Sequence, residues 1–172
     1  MGLKNVRSAG PNFAPAYQVS GIPFATSSAP DEVPVASEVN GSTVMPIQVK
    51  FNYATRFFVV TNNGDFPLRV GFTQLGIQTP GVSSKPANLD ANYFLVPASS
   101  SSPRIEARCK ELYFLSDGDR GGEHAGQKGQ FSLLAGLSMI QEGEFPILTG
   151  SISRGLDSVG NEMVTASFKG VG

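Results

Sequence analysis

The side chains of this 172-residue chain that are best suited to chemistry are one histidine, one cysteine and a few carboxylates. His124 stands in a glycine-rich stretch, SDGDRGGEHAGQKGQ, that covers residues 116–130. A histidine-based metal centre needs several ligands, and a Ser-His-Asp triad needs a rigidly held base. The sequence offers no second histidine and no Gly-x-Ser-x-Gly motif. We therefore expect neither a histidine metalloenzyme nor a serine hydrolase.

The Gly118–Gln130 stretch has the glycine content of a phosphate-binding loop but not its spacing. That loop requires Gly-x-x-x-x-Gly-Lys followed by Ser or Thr, whereas Lys128 lies between a glutamine and a glycine. Asp117 and Asp119 place two carboxylates where they could touch a cation, but an Asp-Gly-Asp motif alone does not define a site. We interpret the stretch as an exposed loop.

Cys109 is the only cysteine, so no disulfide forms within the chain, as is usual in a reducing compartment. It alternates with Ile105 and Ala107 on the apolar side of a predicted strand, which indicates a small core residue rather than a nucleophile. No carboxylate pair can be assigned to glycoside chemistry from spacing alone. We predict no catalytic, cofactor-binding or metal-ligating residue, no cofactor, and a protein that is not an enzyme.

The elements that would position any site are strands. Residues alternate between apolar and polar over Thr43–Phe51 and again over Leu68–Thr73, a period of two that is typical of a strand with one face on a core. Thr55–Thr61 is β-branched and aromatic throughout. Asn62–Asp65 contains Asn-Gly, a strong hairpin signal. We predict three consecutive antiparallel strands here, the last two paired as a hairpin.

The middle strand of this window is apolar on both faces. Phe57 and Val59 alternate with Phe58 and Val60, whereas an antiparallel strand with one solvated face should be polar there. We therefore expect the second face to be covered, either by an arm of the same chain or by a neighbouring subunit.

The rest of the chain continues the strand pattern. Tyr17–Phe24 predicts a first strand; because Pro23 cannot donate to a ladder, it is an edge strand or the end of one. Residues 26–41 and 74–91 predict loops, and Tyr93–Val96 and Phe131–Met139 predict strands. Arg104–Leu115 fits a strand with a bulge or corner near Lys110, and its spacing also fits an amphipathic helix; we prefer the strand.

The count is eight or nine short strands with no helix, which predicts an all-β fold, a single jelly-roll β-sandwich of about eight antiparallel strands in two sheets. We divide the chain into an extended arm at residues 1–16, the jelly-roll domain at 17–142, and a tail at 143–172. The tail holds further strand-like segments at Pro146–Ser151 and Met163–Phe168, which would pack on the domain or on a neighbour.

Charged residues make up only 16 % of the chain, against roughly 25 % in ordinary soluble domains, which favours a surface covered in an assembly. The net charge of -1 argues against a nucleic-acid partner. No apolar run approaches the length that spans a bilayer, so we expect no direct membrane insertion. Asn40-Gly41-Ser42 is formally a glycosylation sequon, which we interpret as a chance occurrence because no secretory signal precedes it.

Several segments together resemble the penton proteins, the vertex minor capsid proteins, of large icosahedral double-stranded DNA viruses of the chlorella-virus and nucleocytoplasmic large DNA virus type. The resemblance spans about residues 15–140 and is carried by core strands: Pro15–Phe24, Arg56–Asn62, Leu68–Phe72, Asn92–Leu95, Glu106–Leu115 and Phe131–Ile140. It implies a single jelly roll and a structural virion protein without enzyme activity.

The same resemblance implies a homo-pentamer at the five-fold vertices of an icosahedral capsid, in contact with the major capsid protein and with other minor capsid proteins. The protein would be located in the virion and assembled in the host cytoplasm. Closed cyclic symmetry requires two different surface patches that meet head to tail. Charged strand residues are the candidates for those patches: Arg56, Arg69, Arg104, Glu106 and Arg108. The alternative function is a jelly-roll carbohydrate- or receptor-binding head.

Overall fold

The computed structural model describes residues 22–35, 44–78, 93–118 and 127–141 together with two short strands of the tail. Most of these described residues lie in strands. The strands of the sandwich are β1 Ile22–Ser27, β2 Ile47–Lys50, β3 Tyr53–Asn62, β4 Leu68–Gly71, β5 Tyr93–Val96, β6 Ser100–Ser101, β7 Glu111–Ser116 and β8 Phe131–Gln141. One short helix, α1, covers Gln74–Gln78. In the tail, β9 Ile152–Ser153 pairs antiparallel with β10 Thr165–Ala166.

The eight strands form two four-stranded antiparallel sheets. Sheet 1 has the order β1-β8-β3-β6, and sheet 2 has the order β2-β7-β4-β5. The first strand therefore pairs with the eighth, the second with the seventh, the third with the sixth and the fourth with the fifth. This nested pairing is a long hairpin wound into two sheets, which is the jelly-roll arrangement. The predicted all-β jelly-roll sandwich is confirmed.

The core lies between the two sheets, where the strands place alternate apolar side chains. Phe114 of sheet 2 stacks on Phe131 of sheet 1 with ring centroids 3.9 Å apart. Phe24 meets Phe51 edge to face at 5.1 Å. Burial of each such side chain contributes on the order of 1.5–3 kcal/mol. Fourteen buried residues form this cluster: Val33, Phe51, Phe58, Val60, Leu68, Val70, Val96, Cys109, Leu112, Phe114, Phe131, Leu133, Ala135 and Leu137.

The predicted hairpin between the second and third strands of the Thr43–Thr73 window is wrong, although the strands themselves exist. β3 belongs to sheet 1 and β4 to sheet 2, so the Asn62–Asp65 turn connects the two sheets. The Asn62 amide group donates to the carbonyl oxygens of Phe66, Val96 and Pro97 at 2.7–3.1 Å, which directs the chain towards sheet 2. A turn motif specifies that the chain reverses direction, but it does not specify which strands pair. Here β3 and β4 each pair with strands from distant parts of the sequence.

The segment between β6 and β7 follows β3 and then changes sheets. Ile105 exchanges two backbone hydrogen bonds with Phe58, both 2.9 Å long, and the Cys109 carbonyl accepts from Thr55 N at 3.0 Å. At Lys110 the chain leaves sheet 1 and enters β7 of sheet 2. The extended interpretation of this segment and its corner near Lys110 are confirmed, and the helical alternative is wrong.

Pro23 lies in β1, at one edge of sheet 1, as predicted. The loop prediction for residues 26–41 is wrong in part, because Val33 and Val35 are fully buried and form bridges to Gly129 and Ser116. The alternating segment Thr43–Phe51 forms a strand only from Ile47, and Met45 before it is 59 % exposed. The short helix α1 lies at the start of the segment that was predicted as a loop, residues 74–91.

Several predicted features lie outside the described residues. They are the arm at 1–16, most of the tail at 143–172, the middle of the Gly118–Gln130 loop with Asp119 and His124, and the sequon at Asn40.

Candidate functional site

Of the residues singled out for possible chemistry, Cys109 and Asp117 belong to the described part of the chain, and both are buried. The Cys109 side chain is fully buried, and its sulfur lies 3.3 Å from the Thr55 hydroxyl. Burial raises the pKa of the Cys109 thiol to about 12, so the nucleophilic thiolate is scarce at neutral pH. The described residues contain no group of three or more His, Cys, Asp or Glu side chains that could hold a metal ion. Cys109 is therefore a core residue, as predicted.

The Asp117 carboxylate forms an ion pair with Arg69 and is not directed towards a site for a metal ion. Both side chains are almost completely buried. The Arg69 guanidinium also lies 4.9 Å from the centre of the Tyr93 ring and donates to the Ile77 carbonyl oxygen of α1 at 3.4 Å. Arg69 was one of the five candidates for a subunit interface, and its burial removes it from that set.

The chain itself covers the outer face of sheet 2 along β4 and β7. Ile77 of α1 packs with Tyr113 and Leu115 of β7, and all three are buried. Gln48 donates to the Glu111 carboxylate at 2.7 Å and to the Tyr113 hydroxyl at 2.8 Å. Burial, reinforced by the negative charge of Glu111, raises the pKa of Tyr113 to about 12. At the edge of the same face, Leu95 of β5 is 39 % exposed.

The outer face of sheet 1 is apolar at its centre and open. Leu134 of β8 pairs with Ala25 of β1 on one side and with Val59 of β3 on the other. In the next row Gly136 pairs with Pro23 and Phe57. Leu134 is 51 % exposed although it lies on a central strand. We call this surface, made of Ala25, Phe57, Val59 and Leu134, the open face.

A row of hydroxyl groups borders the open face. Ser132 accepts from the Ser27 hydroxyl at 3.3 Å and from the Asn63 amide at 2.7 Å. Thr61 bonds Ser101 at 2.8 Å. These groups are exposed, so the open face has a polar margin at the end of the sheet where β8 begins.

The side margin of sheet 1 beyond β3, formed by the segment that follows β6, carries arginines. The Arg104 guanidinium lies 4.0 Å from the centre of the Phe57 ring and forms an ion pair with Glu106 at 2.9 Å. Their side chains are 51 % and 61 % exposed. Arg108, two residues further along the same segment, is also exposed. We call Phe57, Arg104, Glu106 and Arg108 the arginine edge.

The structure brings together three of the five interface candidates, Arg104, Glu106 and Arg108, on the segment between β6 and β7. Arg56 lies on β3 as the extra residue of a bulge between Thr55 and Phe57, and it is half-buried. The expected cover of the second face of β3 is present in part, because Arg104 shields Phe57. Val59 remains half-buried beside the exposed Leu134.

Sequence reasoning missed the exposure of Leu134. The signal was the doublet Leu133-Leu134, which interrupts the alternation in β8 and places one leucine on each face. The described residues also include no helix long and apolar enough to cross a membrane. No protein-family model, curated protein sequence or solved structure matches the chain.

Proposed function

We propose that this chain is a structural virion protein that forms the pentameric capsomer at the five-fold vertices of an icosahedral capsid. The observation that carries the proposal is the strand order, β1-β8-β3-β6 facing β2-β7-β4-β5. Eight-stranded jelly rolls are the building blocks of many viral capsids, and they also serve as lectins and cupins. The choice among these uses depends on the surface of the sandwich.

The surface favours a subunit that is covered by neighbours. The open face places an exposed leucine at the centre of a sheet, between Ala25 and Val59. Contiguous exposed apolar surface of this kind marks interaction sites in soluble proteins. The low charged fraction of the whole chain points the same way.

In this proposal five copies form a closed ring through a head-to-tail interface. The ring contacts the surrounding capsomers of major capsid protein and other minor capsid proteins. The protein is then a component of the virion at the capsid vertex, assembled in the host cytoplasm. It has no catalytic step, and neither nucleic acid nor a membrane is a direct partner.

A carbohydrate- or receptor-binding head is the second candidate, and the exposed hydroxyl row favours it. Ser27, Ser132 and Asn63 place hydroxyl and amide groups on one margin of an open surface. Such groups suit the hydrogen-bonding needs of a sugar.

The experiment that separates the two is light scattering of the purified chain combined with a glycan-binding screen. The capsid proposal predicts a particle of five times 18.1 kDa with no glycan retained. A monomer or trimer that retains a defined glycan would replace the proposal with the second candidate.

A further inference from the structure

Apart from Lys50 on sheet 2, the exposed charges of the described residues fall into two regions, one with an excess of positive charge and one with an excess of negative charge. The arginine edge carries two exposed guanidinium groups, Arg104 and Arg108, against one carboxylate, Glu106. It runs along the β6 side of sheet 1. A second region lies at the end of the sandwich where β8 begins.

Three exposed carboxylates define that second region, which we call the acidic end: Asp31, Glu32 and Asp65. Asp31 and Glu32 directly precede Val33, whose backbone pairs with Gly129. On the other side, Asn63 N donates to the Gln130 carbonyl at 3.0 Å, two residues before Asp65. The carboxylates therefore flank residues 129–130 from both sides. Lys128 is also exposed here, so among the described residues the acidic end holds three carboxylates against one ammonium group.

The acidic end is built on short, constrained turns. The Glu32 carboxylate accepts from Ala29 N at 2.6 Å, which closes the turn around Pro30 and Asp31. Pro30 and Pro67 are both exposed beside the carboxylates. Because proline fixes its backbone torsion, these turns lose little conformational entropy when a partner binds.

The arginine edge is also preorganised. Arg104 is held by the Phe57 ring at 4.0 Å and by Glu106 at 2.9 Å, so its planar group is already oriented. Val59 and Leu134 of the open face extend the apolar surface next to the Phe57 ring. Protein interfaces combine such features, since their buried centres are enriched in aromatic residues and arginine.

We propose that copies of this chain join head to tail, with the arginine edge of one copy docked on the acidic end of the next. This inference rests on the proposed function, and it assigns the two different patches that a closed ring requires. Opposite charges would meet across each contact. A symmetric contact of the arginine edge with itself would instead place like charges together, which is unfavourable.

The test is a charge-swap series measured by native mass spectrometry and light scattering. The edge variant carries Arg104→Glu and Arg108→Glu, and the end variant carries Glu32→Lys and Asp65→Lys. Each should raise the apparent dissociation constant of the assembly by at least about a hundredfold, because like charges would meet. The chain with all four substitutions keeps the net charge of -1 and should regain assembly to within about tenfold of the natural chain.

Lys50→Gln is the control, because it removes an exposed charge on sheet 2, outside both regions, and should leave assembly unchanged. Thermal unfolding of every variant establishes that it is folded. If the natural chain assembles and both reversed variants assemble equally well, the docking inference fails while the proposed function stands. If each charge reversal disrupts assembly and the chain with all four substitutions does not recover it, the two patches do not meet. A natural chain that stays monomeric at all concentrations contradicts both.

Discussion

Arg69 and Asp117 form an ion pair that is shielded from water, with side chains only 6 % and 2 % exposed. Asp117→Asn keeps the shape of the side chain but leaves the guanidinium without a counter-charge. Its remaining described partners are the Ile77 carbonyl oxygen and the Tyr93 ring. Removing one partner of a buried pair typically costs 3–5 kcal/mol. Because an asparagine oxygen still accepts a hydrogen bond, we expect a loss of about 3 kcal/mol in the free energy of unfolding.

The chain offers a matched control in the exposed pair of Arg104 and Glu106. Glu106→Gln should change the free energy of unfolding by less than about 1 kcal/mol, since exposed pairs contribute little. Arg69→Met combined with Asp117→Leu should be more stable than either single change, because no buried charge then remains.

The assay is urea unfolding of all variants, with the midpoint and slope fitted separately. In thermal unfolding, a loss of 3 kcal/mol in a chain of this size corresponds to a shift of the midpoint by about 6–12 °C. If Asp117→Asn costs no more than Glu106→Gln, burial of the Arg69–Asp117 pair does not make its loss more costly than that of an exposed pair.

Three further predictions concern the core, the inter-sheet turn and the open face. Cys109 should resist thiol reagents at pH 8 until the chain is unfolded. Because the pKa of its thiol is about 12 in the folded chain, its contribution to stability is present below pH 9 and is lost as the pH rises towards 12. Cys109→Ala should flatten that decline in alkaline unfolding curves. Asn62→Ala should cost about 3 kcal/mol in urea unfolding because it leaves three backbone carbonyl groups without their donor, whereas Asn63→Ala should cost less than about 1 kcal/mol. Leu134→Glu should change the unfolding free energy by less than about 1 kcal/mol but reduce the assembled fraction in light scattering, and unchanged assembly would contradict the role of the open face.

The sequence was sufficient to predict the class of fold and the positions of most strands. The period of two identifies β2, β4 and β8, because each has one face in a well-defined core. Pro23 also correctly placed β1 at an edge. These are local signals, and they depend only on which side of a strand is buried.

The sequence was not sufficient to predict which strands pair. β3 and β4 are adjacent in the chain and joined by an Asn-Gly turn, yet they lie in different sheets. β3 pairs with β8 and β4 with β7, and the Asn62 amide at the turn bonds Val96 and Pro97, more than thirty residues away. No local pattern contains that information.

The candidate site was also predictable only in part, because local signals indicated some of its features and long-range contacts determined the others. Two apolar faces on β3 indicated a covered surface, and the alternation of Arg104, Glu106 and Arg108 indicated an exposed charged strand. The burial of Arg69 was not predictable, because it depends on Asp117, forty-eight residues further along the chain. An arginine on an outward strand position looks the same in sequence whether α1 covers it or solvent does.

Electron microscopy of the purified assembly tests the central claim most directly, because class averages of particles seen end-on count the subunits. The proposed vertex role predicts closed rings with five-fold symmetry, and the edge variant Arg104→Glu with Arg108→Glu should abolish them. Rings of three or any other number, or single sandwiches at every concentration, would contradict the proposed pentameric capsomer.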